Sequence, residues 1–302
     1  MKVIVFGAGG QIGREVCNAA WPPYYTIVPL DRRATDITDS VLVRTALARE
    51  RPGVVINLAA YTAVDRAESE PEAAWAVNSA GAAHIAAACA ETGTPLIHLS
   101  TDYVFDGCKT EPYREDDPVG PLGVYGCSKE AGERAIRAAL EQHIILRTAW
   151  VYGVYGANFV KTMLRLAGER PVVRVVADQI GCPTAAAEIA TALIAIATHI
   201  ERGGVRWGTY HFAGAGAVSW YGFAEAIFEL AAPRLPARPR LMSIRTDEYP
   251  TAARRPMHSV LDCGKIKAAF AIVPAPWRAA LTPVIQKLVP VDHGANPASV
   301  HS

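Results

Sequence analysis

A phenol and an ammonium group four residues apart on a helix face the same way, and Tyr125-Gly126-Cys127-Ser128-Lys129 carries that spacing. The pair has a chemical use. A lysine beside a phenol stabilises the phenolate and draws its pKa down from about 10, and a shift of about three units would need about 4 kcal/mol. Such pairs also arise by chance on helix surfaces, so the company they keep decides. Ser100-Thr101-Asp102-Tyr103-Val104-Phe105-Asp106-Gly107 is a polar cluster directly after an apolar run. With it, the pair reads as a carbonyl reductase, in which Tyr125 gives the proton, Lys129 tunes it and anchors a ribose, and Thr101 orients the carbonyl.

Reduction needs a hydride carrier, and Gly7-Ala8-Gly9-Gly10-Gln11-Ile12-Gly13 stands between an apolar run and a helical pattern, as a dinucleotide loop requires. The register is G-x-x-G-x-x-G on Gly7, Gly10 and Gly13, because a G-x-G-x-x-G register from Gly7 meets Ile12. These glycines allow a tight turn, close approach to a pyrophosphate and packing of helix on strand, while the helix opening at Gln11 and Ile12 offers N–H groups to phosphate. Asp31 ends the second apolar run, where an acidic side chain takes the ribose hydroxyls of NADH. Arg32 and Arg33 follow at once and would suit the 2′-phosphate of NADPH, or simply be solvated, so the cofactor is NADPH or NADH. Asp36 and Ile37 reach the adenine if their loop folds over it, although helix capping is an equal use for the aspartate.

Apolar runs at Lys2–Phe6, Thr26–Leu30, Val54–Leu58, Pro95–Leu99 and His143–Leu146 alternate with helical patterns at 11–20, 39–50, 71–92 and 127–141. Asp39 and Ser69 are the expected N-caps. Near-continuous apolar strands imply a sheet covered on both faces, hence an α/β, doubly wound parallel sheet of Rossmann type. Residues 1–150 are the expected dinucleotide-binding domain, with 172–212 completing its sheet through strands at Val172–Val176 and Thr209–Phe212 and a buried helix at Ala185–Ile200. Residues 151–171 and 213–289, with helices at Trp220–Ala231 and near Trp277–Leu288 and a strand at Leu241–Ile244, are expected to form a second, smaller substrate-binding domain. Residues 290–302 read as a frayed tail.

Composition sets the outer limits. The 302 residues carry 30 Lys and Arg against 29 Asp and Glu, with 51% hydrophobic and 20% charged, which excludes a disordered chain and gives no field that favours nucleic acid or a membrane surface. No apolar stretch has the length of a signal-peptide core or a membrane span, so a cytoplasmic enzyme is expected. The six cysteines form no C-x-x-C pair and no zinc spacing, so no disulfide framework and no structural metal are expected, with magnesium left open. Cys108 and Cys127 lack a nucleophile's signature, and His98, His211 and His258 read as non-catalytic.

These residues resemble the extended short-chain dehydrogenase/reductase superfamily, and within it the dTDP-4-dehydrorhamnose reductase family. The likeness is carried by Phe6 to Gly13, Val55 to Asp65, Leu99 to Gly107, Tyr125 to Glu130, Arg147-Thr148-Ala149-Trp150-Val151-Tyr152-Gly153, Asp178-Gln179-Ile180-Gly181-Cys182-Pro183-Thr184 and Arg254-Arg255-Pro256-Met257-His258-Ser259. Leu58 and Cys182 depart from the small residues usual there. The resemblance implies NAD(P)H-dependent reduction of a nucleotide-sugar 4-ketone, here dTDP-4-dehydro-6-deoxy-L-mannose. It implies further that Ala60, Tyr61 and Thr62 line the cofactor, that Thr101 and Asp102 touch the sugar, and that Trp150 is an apolar wall against it, in keeping with the C–H faces of a deoxysugar.

For the diphosphate, Arg255 is the best basic candidate, beside Arg254 and backed by Lys161. Two other readings remain open. One is a reductase or epimerase of another nucleotide sugar, and the other a non-catalytic dinucleotide-binding regulatory subunit, such as that of animal methionine adenosyltransferase. Product stereochemistry, nucleobase and a homodimeric state are left open.

Overall fold

The computed structural model describes residues 1–204, 206–235 and 238–289; the tail expected at 290–302 lies outside the described residues. The strands β1 (Lys2–Phe6), β2 (Thr26–Leu30), β3 (Val54–Asn57), β4 (Leu96–Thr101), β5 (His143–Thr148) and, after β6 (Val172–Val176), β7 (Gly208–His211) account for the main sheet. Its order is β7-β5-β4-β3-β1-β2 and every neighbouring pair is parallel. The chain steps from β1 to β2 on one side and then to β3 on the other, so the crossing point that opens a ligand crevice lies beyond the carboxyl end of β1.

Alternate residues of each strand feed opposite faces. Val3, Val5, Ile56, Ile97 and Leu146 pack with Val16 of α1 (Gln11–Asn18) and with Ile189, Leu193 and Ile196 of the helix Ala186–Arg202. Ile4, Phe6, Val55, Leu96 and Ile145 pack instead with α2 (Ser40–Glu50), α3 (Ala82–Thr92) and α4 (Val124–Ala139). Burial on both sides is what made the strands nearly uniform in hydrophobicity.

Four sequence expectations change. Val172–Val176 does not join the main sheet but pairs in parallel with β8 (Arg240–Ile244), so of the strands expected in 172–212 only β7 extends it. The hydroxyl of Ser69 is turned back onto the carbonyl of Arg66 and caps nothing, while Asp39 does cap α2 through the N–H groups of Val41 and Leu42. The helical pattern at 71–92 is broken by a wider π turn at Ala76–Gly81. α4 begins at Val124, three residues before expectation, because Glu68 accepts the Val124 N–H at 2.8 Å from 56 residues away.

The remaining chain builds a separate apolar cluster. Helices α5 (Phe159–Glu169), α6 (the Ala186–Arg202 helix), α7 (Trp220–Ala231), α8 (Gly264–Phe270) and α9 (Trp277–Leu288) follow in order. Val160 and Met163 of α5, Phe223 and Ile227 of α7 and Leu281 of α9 close over Val173 and Val175 of β6. This layer stands against the carboxyl ends of the main strands and supplies the far wall of the crevice.

Candidate active site

The crevice is a cleft of about 710 Å³ lined by Gly10–Gly13, Leu58, Ala60, Thr62, Leu99–Tyr103, Tyr125, Lys129, Trp150, Phe159, Trp220 and Arg255. A second cleft of about 380 Å³ shares Gly10, Leu58 and Ala60 and adds Gly7, Asp31, Arg32, Arg33, Asp36, Ile37 and Tyr61. A third, also about 380 Å³, shares Phe159, Trp220 and Arg255 and runs along Arg174, Gln179, Tyr249 and Thr251. Apart from Arg254 and Lys161, every residue expected to hold cofactor or substrate lines one of these three spaces.

The glycine loop fits a dinucleotide for stated steric reasons. Gly7 has φ +76°, and a Cβ there would stand 2.5 Å from the Ala59 nitrogen. A Cβ on Gly13 would stand 2.3 Å from the Gly7 carbonyl oxygen, so this glycine seats α1 on β1. Gly10 has mild constraints inside the protein, its nearest neighbour being 3.3 Å away, and it caps α1 with no side-chain bond. The helix N-terminus is therefore left facing the cleft, where its N–H groups and dipole favour phosphate.

At the adenosine end Asp31 Oδ1 accepts the N–H groups of Arg33 and Ala34, which fixes the turn after β2. Arg32 reaches Asp36 at 3.2 Å with its side chain 82% exposed, and so keeps its freedom. Asp36 also takes the Thr38 N–H and hydroxyl, which with Arg32 hold its carboxyl below the usual range. Ile37 is buried against Gly81, where a Cβ would come within 2.7 Å of it.

The loop after β3 is set by a residue that sequence reasoning missed. Asn78, in the π turn, accepts the Tyr61 N–H at 2.8 Å and donates to the Tyr61 carbonyl and the Ser128 hydroxyl at 3.0 Å each. It joins the cofactor-side loop to α4, three residues from Tyr125. Gly132 makes room for it, since a Cβ there would lie 2.2 Å from the Asn78 carbonyl oxygen. Wide turns of this kind recur at functional sites.

Tyr125, Lys129 and Glu133 follow one another at helical spacing along the buried side of α4. Burial pushes the Tyr125 phenol up to about 12, with the Asp102 carboxylate adding to this and the Thr101 hydroxyl opposing it. Lys129 is not among the causes of this shift in the ligand-free protein. Lys129 Nζ is spent elsewhere, donating to the Leu99 carbonyl at 2.7 Å and meeting His98 Nε2 at 3.2 Å, and burial draws the lysine itself down to about 8. Glu133 is bound by Arg147 through Nε at 2.9 Å and Nη2 at 2.7 Å, which anchors α4 to β5 beneath the site.

Thr101 ends β4 and its hydroxyl donates to Asp102 Oδ1 at 3.0 Å. Asp102 is 2% exposed, and its other oxygen has no partner among the described residues. Burial pushes this carboxyl up to about 6, against the hydroxyls of Ser259 and Thr101.

Trp150 has a left-handed backbone, φ +45°, and its ring lies between Gly181 and Trp220. The two indoles stack with centroids 3.4 Å apart and planes within 4°. Trp220, missed in the sequence, belongs to the same wall as Phe159. Arg255 is at the cleft, but Asp65 holds its guanidinium by two bonds of 3.1 and 2.7 Å. Lys161 is not its helper: its amine binds the Val154 and Gly156 carbonyls, and the cation beside the third cleft is Arg174.

Residues 1–289 match the RmlD substrate binding domain family. A dTDP-4-dehydrorhamnose reductase of Aggregatibacter actinomycetemcomitans is 46% identical over 93% of this chain and 97% of its own, and that of Escherichia coli strain K12 is 39% identical over 95% and 98%. The crystal structure of a dTDP-4-dehydrorhamnose reductase of Bacillus anthracis in complex with NADP superposes with a TM-score of 0.89 at 36% identity, covering 95% of this chain and 99% of the other. With its model matched over nearly the whole described length, the RmlD substrate binding domain family is the family to which this chain belongs.

Proposed function

We propose that the protein reduces the 4-keto group of dTDP-4-dehydro-6-deoxy-L-mannose with NAD(P)H, giving dTDP-L-rhamnose. One observation carries the reading. Tyr125 and Thr101 open on the same cleft as the glycine loop, so proton donors and a dinucleotide site share one space. The names of the relatives supply the sugar and the base. When bound, the nicotinamide supplies a hydride to the ketone carbon.

The chain's own residues do the rest. Gly7, Gly10, Gln11, Ile12 and Gly13 seat the pyrophosphate, and Ala60, Tyr61 and Thr62 border the cofactor. Asp31, Arg32, Asp36 and Ile37 surround the adenosine, with Arg32 free to meet a 2′-phosphate. Lys129 holds the ribose through the N–H left to it. Tyr125 is fully protonated at neutral pH because burial raises its pKa, so it stands loaded to protonate the ketone oxygen. Thr101 turns its hydroxyl from Asp102 to that oxygen as a second donor, and Asp102, which lines the same cleft, accepts a sugar hydroxyl.

Trp150 and Trp220, which both line the main cleft, give the C–H groups and methyl of a 6-deoxysugar an apolar wall. Arg255 borders both the main cleft and the third one, at the place where a diphosphate would pass between them. The residues of α5, β6, α7, β8 and α9 are accordingly proposed as the substrate domain, and residues 1–150 with β7 as the cofactor domain. A cytoplasmic location belongs to the same reading, because the reaction draws on NAD(P)H and a nucleotide-activated sugar.

The test is turnover of NADPH with the dTDP-linked 4-keto-6-deoxy sugar, followed by competition with dTDP, UDP and GDP. Strongest inhibition by dTDP is expected. Stronger inhibition by UDP or GDP would transfer the protein to another nucleotide-sugar pathway.

A further inference from the structure

Behind Lys129 runs a line of buried groups that the proposed mechanism does not use. The Ala59 N–H donates to Asn57 Oδ1 at 3.1 Å, and Asn57 Nδ2 stands 3.0 Å from His98 Nδ1. His98 Nε2 stands 3.2 Å from Lys129 Nζ, and Lys129 also donates to the Leu99 carbonyl. Asn57, His98 and Lys129 are each no more than 2% exposed.

The donors and acceptors in this line admit one assignment. A backbone N–H can only donate, so the oxygen of Asn57 must face Ala59 and its NH₂ must face His98. His98 Nδ1 is then an acceptor, and a neutral imidazole that accepts at Nδ1 carries its proton on Nε2. That N–H points at Lys129 Nζ. An ammonium there would set two donors against each other, whereas an uncharged amine accepts the bond on its lone pair and still has an N–H for Leu99 and another for the cleft.

We propose that His98 is a positioning residue, locked by Asn57 as the Nε2–H tautomer, that favours the uncharged form of Lys129 and so makes its ammonium a ready proton source for Tyr125. The catalytic half of this rests on the reductase reading above; the tautomer does not. After the Tyr125 O–H bond breaks towards the ketone oxygen, a Lys129 N–H proton restores it. The amine so formed is held by His98, and solvent water returns the missing proton before the next turnover. Of the charged groups near Lys129, only the Glu133 carboxylate favours the ammonium, and burial outweighs it. Glu133, on its own helix, is bound by Arg147 of β5 and by Arg137, Tyr125 one turn earlier is neutral, and burial beside Lys129 keeps His98 uncharged.

Two measurements test it. In the ligand-free protein, long-range proton–nitrogen NMR of ¹⁵N-histidine should show His98 protonated on Nε2 and bare on Nδ1; a proton on Nδ1 overturns the proposal whether or not the protein reduces the sugar. In turnover, kcat should fall on the alkaline side as Lys129 loses its proton near its lowered pKa. Asn57→Asp places an acceptor opposite His98 Nδ1, turns Nε2 into an acceptor for the ammonium, and should move that alkaline limb up by about one pH unit. Because the new carboxylate also favours the ammonium through space, His98→Phe, which removes the Nε2–H without adding charge, should move the limb up as well; an unmoved limb in folded His98→Phe refutes the catalytic half. Should Asn57→Asp fail to fold, the wild-type NMR result alone upholds or overturns the assignment.

Discussion

Replacing Asp102 by Asn should stabilise the protein at pH 8 while impairing it as a reductase. The carboxylate is 2% exposed and one oxygen has no partner, and burial raises its pKa to about 6 from the usual 3.8. A shift of about two units corresponds to about 3 kcal/mol between the folded and unfolded chains. The sign follows from its direction. A carboxyl whose folded pKa is raised carries no penalty below about pH 3, where both states are protonated; the penalty grows between about 3 and 6 and is complete by about pH 7.

Asp102→Asn removes the buried charge, so its advantage over wild type should be near zero at pH 3 and about 3 kcal/mol at pH 8, roughly 6 °C in Tm for a chain of this size. Urea unfolding followed by tryptophan fluorescence, repeated across that pH range, reads the difference. Activity should move oppositely, with kcat/KM reduced about 10- to 100-fold by loss of a charge-assisted hydrogen bond of about 1.5–3 kcal/mol to the sugar. A stability difference that does not change with pH, or a less stable variant at pH 8, would refute the reasoning.

Tyr125→Phe keeps the ring and removes the proton donor, so kcat should drop about 10²–10⁴-fold while NADPH affinity, read by fluorescence titration, changes little. Wild type should use NADPH and NADH with efficiencies within about tenfold, and Arg32→Ala should weaken NADPH selectively; equal losses for both cofactors would free Arg32 of any 2′-phosphate role. Glu133→Gln leaves Arg147 buried without its counter-charge and should cost about 3–5 kcal/mol in urea unfolding, whereas Glu133→Leu with Arg147→Met should recover most of it.

The sheet was legible because its central strands are buried on both faces. β1 and β2 have their expected limits, since an apolar run flanked by Gly7 or Asp31 has no other place to stop. What depended on distant partners was not legible. The start of α4 is set by Glu68, and the partner of Val172–Val176 is a strand some seventy residues on, following a Pro- and Arg-rich stretch. The glycine loop, Thr101, Tyr125 and Lys129 could be read because each belongs to a short motif with its own chemistry, and the family resemblance joined them.

Trp220, Asn78, Glu133 and His98 lack such motifs. Trp220 read as an ordinary residue of an apolar helix, and its stacking on Trp150 exists only because Gly181 admits that indole. Asn78 lay inside an expected regular helix, and the only available signal was a polar amide amid alanines. His98 was set aside as a strand histidine. Its place opposite Asn57 follows from the parallel register of β3 and β4, which pairs those two residues directly. The partners of Lys129 were hidden for the same reason: spacing on α4 shows that Lys129 can face Tyr125, but not that Leu99 and His98 hold its nitrogen.

The most direct measurement of the central claim is product identification. The protein is incubated with NADPH and enzymatically made dTDP-4-dehydrorhamnose, and the sugar is examined by NMR beside a Tyr125→Phe sample. The account predicts stoichiometric oxidation of NADPH and a 4-hydroxyl with the configuration of dTDP-L-rhamnose, formed by wild type and nearly absent from the variant. Unchanged sugar with wild type, or equal conversion by Tyr125→Phe, would contradict it.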